Sequence, residues 1–184
     1  MEERLLLKKA KQGDLVAFEA LVRIYQNKIY ALALRMTENR EDAFDVAQEA
    51  VLKLYRGLSA FREKSSFATW VYSVTRNAAL DFLRKKKSSV SLEELREQGV
   101  EPCGQEDDPE SQVLKDEKIC AVTAAINALP EQQKTVLILR DIEGYSYEEI
   151  AIIIGTTRGT VKSRLFRARE QVRKKYSELG ENNE

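Results

Sequence analysis

A run of basic and hydroxyl side chains near the carboxyl end of the chain has the types and spacing needed to contact nucleic acid. Between residues 155 and 176 the sequence has eight Lys or Arg and a single Glu. Apolar residues recur at spacings of four, three and four from Val161 to Val172, so they lie on one side of a helix and leave the cations on the other. This pattern predicts a DNA-binding helix; a solvated basic helix or a coiled-coil arm is the alternative.

Two kinds of contact are expected from this helix. Near its amino end, Arg158, Lys162 and Arg164 are long enough to reach the O6 and N7 edge of guanine in the major groove. Hydroxyl groups can contact bases or phosphates, and cations further along the helix are better placed for phosphates. The hydroxyl-bearing candidates are Thr157, Thr160 and Ser163, and the phosphate candidates are Arg167, Arg169 and Arg173.

The residues before this helix supply the elements that must position it. Leu129-Pro130 predicts the start of a helix over 131–141, which Gly144 ends. Ser146 and Glu149 form a capping box that opens a short helix over 147–154, and Gly155 separates it from the basic helix over 157–176. A short helix, a glycine turn and a longer basic helix are typical of a helix-turn-helix.

Catalytic and metal chemistry has little support in the composition. The 184 residues include no histidine, which excludes imidazole-based acid-base catalysis and imidazole metal sites. Cys103 and Cys120 form no CxxC pair and could supply at most two thiolate ligands, so no structural zinc site is expected. Redox sensing through these two thiols is the alternative role, and no cofactor is expected. No apolar run reaches 18 residues and no signal peptide opens the chain, so we expect a cytoplasmic protein without direct membrane insertion.

The first half of the chain predicts four helices, over about 2–12, 14–36, 41–57 and 66–87. On the third helix the expected inward residues are Phe44, Ala47, Val51, Leu54 and Tyr55. The opposite face is expected to carry an acidic stripe with Gln48 at its flank. Its members are Asp42, Asp45 and Glu49, and without further information a solvated surface is the plain interpretation.

The fourth helix has two different faces. One is an apolar stripe from Phe67 to Phe82, which predicts core. The other combines aromatic and basic residues, which single-stranded nucleic acid requires for base stacking and phosphate attraction. An ordinary core position for Trp70 and Tyr72 is the alternative. The candidates on this face and in the loop before it are Lys64, Trp70, Tyr72, Arg76, Asn77 and Arg84.

Charge and composition indicate where two domains meet. Lys plus Arg and Asp plus Glu are 30 each, but the acidic residues are concentrated in residues 89–118, which have ten of them against three basic residues. We expect an all-α protein with a helical domain over 1–88, a flexible acidic linker over 89–112, and a helix-turn-helix domain of four helices over 113–184.

Three segments together resemble bacterial sigma factors. Residues 67–84, FATWVYSVTRNAALDFLR, resemble the segment that melts the promoter −10 region, and residues 42–50, DAFDVAQEA, resemble the polymerase-clamp-binding helix. Residues 129–169, from LPE to GTTRGTVKSRLFRAR, are similar to the −35-reading domain. With only these two domains, the chain resembles the extracytoplasmic-function (group IV) sigma factors over about residues 4–176.

The resemblance implies a transcription initiation factor rather than an enzyme. It implies that Asp42, Asp45, Gln48 and Glu49 bind the clamp of the largest subunit of core RNA polymerase. The −35 duplex is then read by the basic helix and the melted −10 strand is held by the fourth helix. An extruded base enters a pocket formed partly by the loop 57–66, for which the candidates are Ser59, Phe61, Lys64 and Ser65.

The family also implies control by an anti-sigma factor, often membrane-anchored. Rival interpretations are a self-sufficient dimeric repressor or activator, a nucleic-acid enzyme, and a regulator that uses its acidic stripe only for a protein partner. The missing histidines and the absence of a G-x-x-x-x-G-K-[ST] loop disfavour the enzyme.

Overall fold

The structure is a computed structural model of the chain and describes residues 2–90, 119 and 121–181. Every regular element in these ranges is helical, as expected for an all-α protein. The chain forms two compact units, an amino-terminal and a carboxyl-terminal one, each described by itself below. The predicted linker over 89–112 falls outside the described residues from position 91 onward, whereas residues 89 and 90 continue the fourth helix.

Four helices make up the amino-terminal unit, and their ends follow from capping chemistry. Asp14 accepts a hydrogen bond from the Ala17 N–H at 3.0 Å, and Asn39 accepts one from the Asp42 N–H at 3.0 Å, so each caps a helix as predicted. The helices are α1 (Glu2–Lys11), α2 (Leu15–Thr37), α3 (Arg40–Gly57) and α4 (Phe67–Val90), with a 3₁₀ turn over Leu58–Ala60.

The core of this unit lies among α2, α3 and α4, which contact one another pairwise. On α2 the buried side chains run from Phe18 through Leu21, Ile29 and Leu32 to Met36, at the predicted three- and four-residue spacing. Each fully buried Leu or Ile stabilises the fold by about 1.5–3 kcal/mol relative to exposure. The apolar stripe of α2 therefore fixes the faces of α3 and α4 that pack against it.

The inward face of α3 differs from the prediction. Its buried residues are Ala43, Val46, Ala50 and Leu54, whereas Phe44 is 58% exposed and Tyr55 is 49% exposed. The prediction placed the large aromatic side chains inward. In the structure, small residues face inward and let α3 approach both α2 and α4 closely. The aromatic residues are consequently on the outside.

The carboxyl-terminal unit contains the predicted helix-turn-helix. Its helices are α5 (residues 121–127), α6 (Glu131–Leu137), α7 (Tyr147–Ile154) and α8 (Arg158–Glu181). A π-helical turn, Ile138–Ile142, extends α6, with the Glu143 N–H bonded to the Ile138 carbonyl at 3.0 Å. Gly144 and Gly155 both have positive φ, 77° and 67°, as the turns on either side of α7 require.

The capping box that opens α7 is formed as predicted. The Glu149 carboxylate accepts hydrogen bonds from the Ser146 N–H at 2.9 Å and from the Ser146 hydroxyl at 2.7 Å. In return, the Ser146 oxygen accepts the Glu149 N–H at 3.2 Å. These bonds, first from the backbone of Ser146 and then from its side chain, lower the pKa of Glu149.

We predict that Ser146→Ala lowers the free energy of unfolding of the carboxyl-terminal unit by about 1 kcal/mol, because α7 loses its cap. Ser146→Thr is the matched control and should retain most of the stability. Urea unfolding of the full chain, followed by circular dichroism, measures both. Equal stability of Ser146→Ala and the parent at pH 7 would contradict the assignment.

The lowered pKa of Glu149 also predicts a pH dependence. Its ionisation stabilises the fold at pH values above the ordinary glutamate pKa, and this contribution is lost as the pH falls through the lower folded-state pKa. The stability difference between the parent and Glu149→Gln should therefore narrow in acid. A difference that grows below pH 4 would be inconsistent with this.

Candidate nucleic-acid and protein interfaces

The basic helix α8 presents a continuous outward face. Its inward residues Val161, Leu165 and Ala168 are buried, which orients the rest of the helix. The Thr157 hydroxyl caps α8 by accepting the Thr160 N–H at 3.3 Å. The sequence-predicted residues found on the exposed side are Thr157, Arg158, Lys162, Ser163 and Arg167.

Arg164 differs from the other predicted contacts. It is half-buried and lines a groove together with Arg167 and residues 130–133 at the start of α6. At 100° per residue, Arg164 directly precedes the inward Leu165 and lies on the flank of the helix. The expectation that it shares the outward face of Lys162 is therefore wrong.

Two further predicted contacts on α8 are engaged within the protein. The Arg158 Nε lies 3.0 Å from Glu148 Oε1 of α7, although both side chains are largely exposed. Thr160 is half-buried, with its hydroxyl 3.0 Å from that of Thr157. Exposed ion pairs of this kind are weak, so Arg158 can exchange Glu148 for another anion at little cost.

Phe166 is the residue on α8 that the sequence analysis did not assign. Its ring is 68% exposed, on the same side as Lys162 and Ser163. Helical spacing alone could have found it, because position 166 is one turn beyond Lys162. An exposed phenyl ring on a major-groove helix can contact the methyl group of thymine.

Arg169 makes a contact within the unit rather than pointing freely outward. Its Nε and Nη2 atoms bind the two oxygens of Asp141 at 3.0 and 2.5 Å, and Asp141 lies in the π-helical turn. The hydrogen bonds from Asp141 raise the pKa of Arg169 above its ordinary value. In this structure Arg169 ties α8 to the turn after α6, and its expected phosphate contact stays a prediction.

The outward face of α3 is both acidic and apolar. Asp45, Gln48 and Glu49 are exposed, as predicted. The apolar neighbours on the same side of the helix, which the sequence analysis had assigned inward or not assigned, are Phe44, Leu52 and Tyr55. Such a combination fits a protein partner, because aromatic anchors contribute binding energy and charges set orientation.

Asp42 does not belong to this outward face. Its side chain is only 17% exposed, and Oδ2 accepts a hydrogen bond from Lys86 Nζ at 2.6 Å. Lys86 is in the basic end of α4, so the carboxylate faces the neighbouring helix. The prediction that Asp42 stands in one exposed stripe with Asp45 and Glu49 is wrong.

A second charged contact joins α3 to α4. Lys53 Nζ lies 2.9 Å from Asp81 Oδ2 and 3.9 Å from Glu49 Oε1. The hydrogen bond from Lys53 is the main cause that lowers the pKa of Asp81. Glu49 thus lies at the edge of the outward face, next to this pair.

Trp70 lies at the start of α4, above the loop 57–66. It is half-buried, and its ring stacks on Phe61 with centroids 4.8 Å apart and an interplanar angle of 25°. A β-carbon at Gly57 would lie 3.2 Å from Trp70 Cζ2, so the indole covers that glycine. Trp70 therefore keeps one part accessible while the loop holds the other.

The other predicted residues of this region are not all accessible. Tyr72 is 2% exposed, so the expected accessible ring is absent and this prediction is wrong; the alternative of a core position holds. Arg76 is half-buried, and its Nη1 donates to Asn77 Oδ1 at 3.2 Å. Asn77, Arg84 and Lys64 are exposed.

Among the loop candidates for a base pocket, Phe61 is buried, with 7% of its surface exposed, and so cannot itself contact a base. Ser59 and Lys64 are exposed and Ser65 is half-buried. Ser66 caps α4 by accepting the Thr69 N–H at 3.1 Å. The loop therefore presents polar side chains to solvent, whereas its aromatic residue Phe61 is buried.

Metal binding and membrane insertion find no support in the described residues. Within residues 2–90, 119 and 121–181, no three His, Cys, Asp or Glu side chains come together as a metal site would require. None of the helices in the described part of the chain combines the length and apolar character needed to cross a bilayer. Cys103 and Cys120 lie outside the described residues.

Comparison with known families matches both units. The family model described as "Sigma-70 region 2" matches residues 21–89, and "Sigma-70, region 4" matches residues 121–172. Solved structures share the fold. A Bartonella quintana sigma factor RpoE, in complex with the anti-sigma factor NepR, has a TM-score of 0.69 at 23% identity, covering 87% of this chain and 96% of that one. CnrH, in complex with the cytosolic domain of CnrY, has a TM-score of 0.69 at 20% identity and full coverage of both chains.

Sequence relatives are closer. The RNA polymerase sigma-H factor of Pseudomonas aeruginosa is 39% identical, over 97% of this chain and 95% of that protein. The ECF RNA polymerase sigma-E factor of Escherichia coli K12 is 36% identical, over 97% of this chain and 96% of that protein. These matches span both units, and the chain therefore belongs to the extracytoplasmic-function (ECF) group of the sigma-70 family of RNA polymerase sigma factors.

Proposed function

We propose that this sigma factor binds core RNA polymerase through the outward face of α3 and directs it to promoters by reading the −35 duplex with α8 and holding the melted −10 strand with α4. The observation that carries the proposal is the outward face of α8, which combines Lys162, Ser163, Phe166 and Arg167. No catalytic chemistry is assigned to the chain, because polymerisation belongs to the core enzyme.

The −35 duplex is read from the major groove. Lys162 supplies a cation for the guanine edge, Phe166 an apolar contact for a thymine methyl group, and Ser163 a hydroxyl for either base or phosphate. The edges of this face carry Thr157, Arg158 and Arg167. These residues bind the DNA backbone, which fixes the register of the helix on the duplex. Arg164 and Thr160 support the helix from its flank.

The −10 strand passes over the start of α4. Trp70 offers a partly accessible indole for stacking, which contributes about 1–3 kcal/mol per base. Lys64 is exposed in the loop before α4, and Asn77 and Arg84 are exposed further along the helix. These residues supply charge and hydrogen bonds to the DNA backbone. Arg76 lies beside Asn77 and orients its amide. Ser59, Lys64 and Ser65 remain the candidates for contacts to an extruded base.

The clamp of the polymerase binds the outward face of α3. Asp45, Gln48 and Glu49 supply charge and hydrogen bonding, while Phe44 and Tyr55 supply exposed aromatic surface. Opposite charge on the clamp steers the encounter and fixes orientation, and the apolar groups contribute affinity once water is excluded.

We also infer that an anti-sigma protein regulates this chain by covering its functional surfaces in the cytoplasm. Support comes from the relatives solved with NepR and with the cytosolic domain of CnrY. The exposed aromatic residues of α3 are suited to such a partner, because they are unfavourable in water when the polymerase is absent.

Run-off transcription with core polymerase on a genomic promoter library tests the proposal. The parent should direct promoter-specific initiation. Asp45→Arg combined with Glu49→Arg should abolish core association, because two arginines would then face a clamp surface whose charge is complementary to carboxylates. Lys162→Ala is the matched control, which retains core binding but loses promoter selection. Tight binding of a palindrome by the free parent, without promoter-specific initiation, would favour a repressor instead.

Phe166→Ala tests the apolar contact of α8. We predict about tenfold weaker binding to the cognate −35 duplex, corresponding to about 1.4 kcal/mol, with unchanged dependence on salt because no phosphate contact is lost. Arg164→Ala is the comparison and should weaken binding less. Fluorescence anisotropy across a salt series measures the affinity of both variants for the duplex. A larger loss of affinity in Arg164→Ala than in Phe166→Ala would contradict the prediction.

The contact between Asp42 and Lys86 predicts that Asp42 acts differently from Asp45. Asp42→Asn should leave core binding within about twofold, because its side chain faces α4, whereas Asp45→Asn should weaken core binding. Exchange of the two partners, Asp42→Lys with Lys86→Asp, should restore any stability lost in Asp42→Lys alone. Thermal unfolding and a core-binding titration separate the two properties. Equal loss of core binding in both Asn variants would show that Asp42 contacts the polymerase.

A further inference from the structure

We propose that Lys11, at the end of α1, is a positioning residue that clasps the loop 57–66 in the conformation needed to receive the unpaired promoter strand. The inference rests on the proposed function for its consequence in promoter opening. The clasp itself concerns only this chain. Lys11 was not among the sequence-predicted site residues, and its contact joins positions 50 and 52 residues apart.

The ammonium group of Lys11 makes three contacts with the loop. Nζ donates to the Phe61 carbonyl at 2.8 Å and to Glu63 Oε1 at 3.1 Å, and it lies 5.8 Å from the centre of the Phe61 ring. Its side chain is 26% exposed. One cation thus binds the backbone, a carboxylate and an aromatic face of the same short segment.

The loop has a reason to need such a clasp. Glu63 has a φ of 55°, in the left-handed region that non-glycine residues enter at a cost of about 1–2 kcal/mol. The bond from Lys11 to the Glu63 carboxylate favours this conformation. Without it, the strained residue can relax and the backbone from 61 to 64 is free to change direction.

Through Phe61 the clasp reaches the stacking residue. The Phe61 ring is stacked on Trp70 and packs edge-on against Phe67, whose ring packs in turn against Tyr25. The backbone at Phe61 is held by Lys11 on one side, so the ring beneath Trp70 cannot shift independently. Lys11 therefore determines how the indole is presented, although it touches none of the side chains proposed above to contact the −10 strand.

The helix that carries Lys11 is itself fixed. Leu7 and Ala10 of α1 are buried, and the Tyr25 hydroxyl donates to Glu3 Oε2 at 3.0 Å. Tyr25 therefore touches both α1 and the aromatic group under the loop. The ammonium group consequently projects from a rigid support, and its three contacts stabilise one conformation of the loop.

A protease assay on the full chain tests the clasp without DNA. Arg62 and Lys64 are exposed trypsin sites within the loop. We expect Lys11→Met to raise the initial rate of cleavage after these residues about fivefold, because the loop opens more often. Lys8→Met is the matched control, since Lys8 is exposed one turn earlier on the same groove, and it should leave the rate unchanged. Mass spectrometry assigns the cuts.

Promoter opening supplies the second measurement. With core polymerase and a promoter carrying 2-aminopurine at the extruded −10 position, Lys11→Met should lower the fluorescence amplitude at saturating protein about threefold or more. Lys8→Met should keep the amplitude. A direct phosphate contact by Lys11 would instead weaken affinity, flatten its salt dependence and leave both the saturating amplitude and the trypsin rate unchanged, which would overturn the proposal.

The remaining outcomes are also decisive. If Lys11→Met is misfolded by circular dichroism, Glu63→Gln removes the same ion pair from the exposed side and should raise loop cleavage about twofold. Cleavage rates equal to the parent in both Lys11→Met and Glu63→Gln would overturn the clasp. If the parent itself opens no promoter, the proposed function fails, while the trypsin comparison still decides whether Lys11 holds the loop.

Discussion

The packing of α4 against both α2 and α3 is the constraint on which the functional surfaces of the amino-terminal unit depend. Phe67, Val71 and Ala78 are buried on this helix, and Tyr72 is buried as well. The side chains left accessible on this helix include the half-buried Trp70 at its start, Asn77 and Asp81 on its exposed side, and the cations at its end. The position of α4 therefore decides which side chains an unpaired strand could meet.

Much of this fold could be predicted from the sequence because the local signals are strong. The stripe from Phe18 to Met36, the caps at Asp14 and Asn39, and the capping box at Ser146 all appear where expected. Each depends on contacts within three or four residues. The prediction of which side of α3 faces inward was wrong for a different reason. Ala43 and Ala50 are required by the distance between neighbouring helices, and the sequence of one helix does not encode that distance.

The sequence predicted which regions form the candidate sites, but it predicted the positions of individual side chains less well. The outward face of α8 follows from helical periodicity, yet Arg164 is on its flank and Phe166 is exposed. The charged contacts Asp42–Lys86 and Lys11–Glu63 join residues 44 and 52 positions apart. Nothing local in the sequence pairs them. From the sequence alone, these four charged side chains would be expected to be solvated. In the structure they pair with each other, and the pairs orient the neighbouring elements.

The π-helical turn over Ile138–Ile142 has a consequence for how the carboxyl-terminal unit tolerates changes in length. A π turn contains one residue more than an α turn would. Deletion of that residue would close the turn and rotate the helix before it by about 100° relative to the helices after it. Asp141 and Arg169 would then no longer face each other, and the carbonyl of Tyr145, which Arg140 binds at 2.8 Å, would move out of reach. Insertions and deletions should therefore be tolerated in the loops of this unit but selected against within this one turn.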